Sequence, residues 1–250
     1  MIKRIRFATR RPDLSAEAFA PLWRSAVAAA SGAPAASGAP AGGPRRPVRP
    51  LRIVVCTSMS DLIADPLHDG VGIEWFADEA HLRRFESWLE SEDATMVTEA
   101  LDLAVDVGTS PLVLADEVVM RGGSWLEERW REGSDKIKQM AIARRAAGLT
   151  PAQFSQLWKS RAGTIGTGSG QVVAIPEEAR GCAYVQNHPR IRPGVEWSYD
   201  ALNEVYFDDV GQLRLRVEWF EDNMKGQAEN DLVSESWFVA AREEVLVGGG

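Results

Sequence analysis

Cysteine is nearly absent: Cys56 and Cys182 are the two in 250 residues. Both lie in apolar runs (RIVVCTS and GCAYVQ), and no C-x2-C spacing occurs. A disulfide framework and a structural zinc site are therefore not expected, and the thiols read as buried and reduced. Histidine is almost as scarce, with His68, His81 and His188 alone, and no His/carboxylate metal spacing or G-x-S-x-G motif is present. A basic excess is missing as well. Lys and Arg number 28 against 36 Asp and Glu, a net charge of −8 with pI near 5.1. Such a chain has little with which to neutralise nucleic-acid phosphates or dock on an anionic membrane. No run of 18 apolar residues occurs, and the chain opens on MIKRIRF with no apolar signal core. A cytoplasmic protein is expected.

What is present is a duplication. Ile2–Ser25 aligns without a gap on Ile137–Ser160 at a constant offset of 135. Nine of the 24 positions are identical (Ile2, Lys3, Ala8, Arg10, Leu14, Phe19, Leu22, Trp23 and Ser25), where about one or two would match by chance. Two units follow: 1–122 with a flexible Ala/Gly/Pro loop over 31–50, a linker over 123–135, and 136–250.

Within each unit the periodicities repeat. Residues 2–9 alternate as a strand, and Leu14 opens a helix that Ser15 can cap. Phe19, Leu22 and Trp23 make its core stripe, and Thr150-Pro151 starts the copy. Further strands are expected over 51–59, 71–76 and 111–120, and over 181–188, 202–207 and 236–247. Helices are expected over 79–89 and 210–222, and WLEERW reads as a short helix packing two tryptophans. At an offset of 131, His68-Asp69 falls on Tyr199-Asp200 and Trp75-Phe76 on Tyr206-Phe207; at 127, Asp116-Glu117-Val118 falls on Glu243-Glu244-Val245. Each half thus reads β-α-β-β-α-β, the ferredoxin-like unit. The fold class is α+β: two tandem units whose helix-free sheet faces, bearing Ile53, Val55, Val113 and Phe238, close an intrachain barrel. Exposed strand edges leave a homodimer open.

The run "strand, then R-x3-L-[ST]-x4-F-x2-[LY]-W" resembles the opening of EthD-type members of the dimeric α+β barrel superfamily. YVQNHP at Tyr184–Pro189 and the run Tyr199-Asp200 then Glu204–Asp208 are similar to its second- and third-strand motifs. The resemblance implies a hydrophobic small-molecule partner and cofactor-free enzymes acting on aromatic polyketides as monooxygenases, cyclases, dehydratases or decarboxylases. Other branches bind haem, for which no helix-facing His is evident here, so no cofactor is expected. The pocket would lie between the sheet and its helices. The chain departs from the family in lacking a His after the helix Trp, at Ser25–Val27 and Ser160–Ala162.

His188 is the favoured catalytic candidate. It shares one strand face with Tyr184 and Gln186, while Leu202, Glu204 and Tyr206 share a face of the next strand. If those faces coincide, Glu204 orients His188 as an acid–base pair and Tyr184 donates to a substrate carbonyl. Substrate contacts are expected from Gln186, Asn187, Arg144, Asp200, Tyr206, Trp197 and Trp237. His81 reads as a solvated helix residue and His68 as part of a surface turn. The leading function is an acid–base dehydration or cyclisation (a lyase) without cofactor. The alternatives are a cofactor-free monooxygenase of a phenol and a non-catalytic binding barrel.

Overall fold

The computed structural model describes residues 1–34, 47–166, 172–224 and 231–248. In chain order the elements are β1 (Ile2–Ala8), α1 (Ala16–Ala29), β2 (Arg52–Ser58), β3 (Gly70–Phe76), α2 (Glu79–Leu89), α3 (Thr95–Ala104) and β4 (Leu112–Arg121). Then come α4 (Gly123–Glu132), β5 (Lys136–Arg145), α5 (Pro151–Ser160), β6 (Thr164–Gly166), β7 (Val172–Ala174), β8 (Ala183–Pro189), β9 (Ala201–Phe207), α6 (Val210–Met224) and β10 (Val233–Val247). The helix starts follow their capping residues. Ser15 and Asp78 accept from Ala18 and His81 amides, and Thr150 forms a capping box with Gln153 ahead of Pro151.

Eight strands close an antiparallel barrel in the order β1-β3-β2-β10-β5-β9-β8-β4. Each half supplies four neighbours in one order, β4-β1-β3-β2 and β10-β5-β9-β8. At the two seams, β2·β10 and β4·β8, the second strand of one half pairs with the fourth of the other. Closure leaves no free edge in the barrel; among the described residues only the three-residue strands β6 and β7 keep one. No described helix is long and apolar enough to cross a membrane.

Period two divides the side chains between the barrel interior and the helix layer. Ile5, Phe7, Val54, Cys56, Ile73, Val113, Met140, Ile142, Val185, Leu202 and Val239 pack inside. Phe19, Trp23, Ile53, Val55, Phe76, Leu82 and Phe85 pack under the first-half helices. The expectation that Ile53, Val55 and Phe238 share the interior with Val113 is thus corrected: Ile53 and Val55 meet the helices, and Phe238 packs on Phe220 of α6. One residue of strand parity separates them.

The matching of fourth strands also needs a correction. Lys3 lies opposite Ala115 and Lys138 opposite Ala241, so the offset is 241 − 115 = 126 and Glu117 matches Glu243. The expected linker is α4, whose Leu126 and Trp130 are buried against the barrel; Trp130 meets Trp75 edge-on at 5.9 Å. α3, which packs on α1, and the β6–β7 hairpin were not anticipated, and among the described residues neither has a counterpart in the other half. Of the loop expected over 31–50, residues 35–46 lie outside the described residues. Its flanks are held together, with Val48 and Arg49 amides donating to the Pro34 carbonyl.

Candidate functional site

Directly opposed residues of antiparallel neighbours point to the same side of a sheet. In the β8·β9 pair Gln186 opposes Asn203 and Val185 opposes Glu204. Tyr184, Gln186 and His188 therefore face the helix layer, while Leu202, Glu204 and Tyr206 face the interior. The two polar faces lie on opposite sides of the sheet, so the expected His188–Glu204 pair does not form. Asn187, expected to touch substrate, points inward and donates to Glu204 Oε1 at 2.9 Å.

Glu204 is the hub of a buried ionic cluster. Lys3 and Lys138, equivalent residues of the repeat, each donate to one of its carboxylate oxygens at 2.6 Å. Lys3 also meets Glu117, and Lys138 meets Glu243, both at 2.7 Å; Lys136 meets Glu243 at 3.0 Å. Three lysines thus balance three glutamates. Burial alone would raise the Glu204 pKa, but the two ammonium groups hold it far below the ordinary carboxylate range. Tyr206 donates to Glu204 at 2.7 Å, and burial beside Glu204 and Glu243 drives its phenol well above its usual value. Lys3, Lys136, Lys138, Glu204, Tyr206 and Glu243 are all buried, and the six ionised groups of the cluster balance in charge.

The open space is on the helix side of the second half, a cavity of about 480 Å³. Its origin lies in a few substitutions between the halves. In the first half Trp23 lies flat on β3, donating to the Cys56 carbonyl, because position 70 is glycine: a Cβ there would stand 2.5 Å from Trp23 Nε1. At the offset of 131, Ala201 and Asn203 replace Gly70 and Gly72. Trp158, the equivalent of Trp23, is pushed aside, stays partly exposed and donates instead to Asn203 Oδ1 at 3.0 Å. Where β1 carries the long Arg6, β5 carries Ala141 (offset 135). α5 is 10 residues against 14 for α1, and the β6–β7 hairpin walls the vacated space.

Ala141, Ala143, Val205 and Phe238 floor the cavity, with Trp158, Ile165, Ile175 and Phe220 around it. Its polar lining is Tyr184, Asn203, Thr164, Ser236 and four arginines, Arg121, Arg161, Arg180 and Arg216, of which Arg161 pairs with Asp231. Tyr184 leads a hydrogen-bonded chain whose polarity is set by its members. The Gln186 amide nitrogen donates to Tyr184 Oη at 2.8 Å and to the Trp158 carbonyl, so its oxygen accepts from His188 Nε2 at 3.1 Å. His188 Nδ1 then accepts from the Ser155 hydroxyl at 2.8 Å. Burial, with Lys159 nearby, lowers the His188 pKa, and burial raises that of Tyr184. All four groups are neutral at pH 7, and the Tyr184 proton is left to point into the cavity.

Of the residues expected from the sequence, Tyr184, Gln186 and His188 lie along this chain; Ser155, Asn203 and Arg216 were not among those expected. The Gly72-to-Asn203 exchange was visible in the alignment, yet only the position of Trp23 gives it meaning. The remaining expected contacts lie elsewhere. Arg144 pairs with Glu235 and stacks near Trp237, at the surface. Asp200 accepts from the Arg145 amide and guanidinium, as Asp69 does from Arg10, so the matched aspartates lock matched turns. Trp197 donates to the Arg190 carbonyl beside a shallow cleft outside the cavity, and Trp237 packs on Tyr199. His81 and His68 are both buried rather than solvated: His81 bonds the Arg49 carbonyl, and His68 bonds Tyr199 Oη at 2.5 Å, where burial lowers its pKa to about 4. Among the described residues no three His, Cys, Asp or Glu side chains group as a metal site.

No protein-family model matches the chain, and no curated protein does. Among solved structures, a protein described as a "putative monooxygenase" from Lactobacillus acidophilus NCFM is 12% identical, with a TM-score of 0.47, over 100% of this chain and 96% of that one.

Proposed function

We propose that the chain is an enzyme acting on a largely apolar aromatic small molecule, built as two fused ferredoxin-like, EthD-type units of which the second carries the active cavity. The observation that carries this reading is the Ser155–His188–Gln186–Tyr184 chain, which ends in a hydroxyl proton directed into an apolar pocket. A donor fixed in this way stabilises negative charge developing on a substrate oxygen, because it needs no reorganisation during reaction. The cavity volume suits a ligand of two or three fused rings.

The reaction class follows from which groups are at hand. No Asp, Glu, His or Cys lies among the described lining residues, so no side chain there can take a proton from carbon. This favours the monooxygenase reading over base-driven dehydration or ring closure. The substrate ionises at oxygen, Tyr184 and the nearby Arg216 stabilise the phenolate or enolate, and the anion's ring carbon bonds to dioxygen. The substrate reacts as its enol or phenol tautomer, whose hydroxyl proton passes to water. The peroxide formed at the ring carbon takes a proton back, and the hydroxide leaving from the O–O bond carries off the remaining C–H proton as water, so that CH2 + O2 → C=O + H2O. An anthrone or naphthol assayed with an oxygen electrode tests this. Wild type should consume oxygen in step with quinone formation, and Tyr184→Phe should lower kcat by roughly 100-fold with little change in KM. Product formed without oxygen uptake would replace this reading with the lyase one.

A further inference from the structure

We infer that the cavity selects aromatic ligands carrying an anionic oxygen, read by Arg216; this rests on the cavity being the ligand site. The two halves differ in how they place a cation on the helix side of the sheet. In the first half, Arg4 on the helix side of β1 is neutralised by Glu74 at 2.7 Å, with Phe85 of α2 stacked near it. The equivalent positions in the second half are Gln139, Val205 and Arg216. The cation has moved from strand to helix and the carboxylate has become valine.

Arg216 is 5% exposed and makes no ion pair among the described residues. Its Nε donates to Gln139 Oε1 and its Nη1 to the Ala179 carbonyl at 2.6 Å, while Phe220 lies 4.5 Å from the guanidinium. These neutral partners fix the plane of the group and leave Nη2 without a protein acceptor among the described residues. A buried charge without a counter-charge is costly unless something completes it. Burial, opposed by Tyr184 and reinforced by Arg121, brings the pKa down to about 10, so Arg216 is still a cation at neutral pH. Arg121 and Arg180 stand at the rim of the same cavity and also lack carboxylate partners among the described residues; Arg121 donates to the Arg180 carbonyl. In a chain of net charge −8, three unneutralised arginines on one apolar cavity form a local positive field. A planar guanidinium with a free edge accepts a carboxylate or an ionised phenol.

The test is a tryptophan-fluorescence titration of the full chain with 2-naphthoate, its neutral isostere 2-naphthamide, and 2-naphthol below and above its ionisation. Naphthoate should bind at least tenfold more tightly than naphthamide, with an advantage that shrinks as salt rises. Arg216→Gln should bring that ratio to about one, and Arg216→Lys should keep most of it. Tighter binding of naphthol only above its ionisation would assign the site to phenolates, and of naphthoate alone to carboxylates. Equal binding of naphthoate and naphthamide to wild type, or a ratio that survives in Arg216→Gln, would overturn this inference and leave the cavity reading standing. Failure of every probe to bind would overturn both.

Discussion

Glu204 and His188 show how much a single side chain's facing decides. Both were identified in the sequence as chemically capable, and each was assigned to the right strand with the right neighbours on its own face. What the sequence does not encode locally is which residue of β9 opposes which residue of β8, and a one-residue change of register exchanges interior for helix layer. Glu204 consequently serves the fold. Replacing it with Gln leaves Lys3 and Lys138 buried with one counter-charge fewer, and stability should fall by about 3–5 kcal/mol, read as a lower urea midpoint at unchanged slope. Because the cluster lies across the sheet from the cavity, naphthoate binding by the folded fraction should be unchanged. His68 gives a second prediction. Its pKa is about 4 in the fold against 6.5 for the free side chain, so between those values the unfolded chain binds more protons than the folded one. Stability therefore drops as pH falls from about 6.5 to about 4, by up to roughly 3 kcal/mol, and no further below. His188 shifts in the same direction and adds to the slope. In thermal melts at pH 7 and pH 4.5, His68→Gln should lose less stability between the two than wild type does. An equal loss would show that His68 takes up its proton as readily in the fold as in the unfolded chain.

At the level of elements, the pair β1–α1 and its copy β5–α5 were fully legible, since period-two and 3.6-residue patterns recur there with the same core residues. α3, β6 and β7 were not. Among the described residues they belong to one half each, so no repeat exposes them, and strands of three residues are too short to display a period. Yet these elements, with Gly70 and Gly72 against Ala201 and Asn203, decide which half is filled and which is open. The exchange can be run in both directions. Gly70→Ala puts a methyl group 2.5 Å from Trp23 Nε1 and 3.0 Å from the Cys56 carbonyl, and should cost about 1–3 kcal/mol by overpacking. In the second half, the double substitution Ala201→Gly with Asn203→Gly removes the groups that hold Trp158 away from β9. Trp158 should then settle on the strand as Trp23 does, blue-shifting its emission and weakening naphthamide binding at least tenfold. Unchanged emission and unchanged binding would mean that the shorter α5, rather than the strand residues, keeps the cavity open.

At the level of the whole molecule, the two halves do not stand side by side but complete one another. Each four-stranded sheet has two open edges, and both are satisfied only by the other half at the β2·β10 and β4·β8 seams. The interior charges enforce the same dependence: Lys3 from the first half finds Glu204 in the second, and Tyr206 and Glu204 of one sheet lie against Trp75 and Glu117 of the other through that lysine. A separated half would expose two unpaired strand edges and an apolar sheet face bearing ionised groups, with the Lys3–Glu204 bridge lost. Even the cavity crosses the division, because Met120 and Arg121 at its rim come from β4 of the first half. Residues 1–135 and 136–250, produced separately, should therefore be aggregated or lack fixed tertiary structure by near-ultraviolet circular dichroism. Mixed during refolding, they should recover a one-to-one complex with the tryptophan signal and naphthoate affinity of the intact chain. A half that unfolds cooperatively as a monomer would show that its sheet and helices suffice alone. In that case the buried ion pairs across the barrel contribute specificity of pairing and little stability, and Glu204→Gln should be nearly neutral as well, so the two measurements check each other.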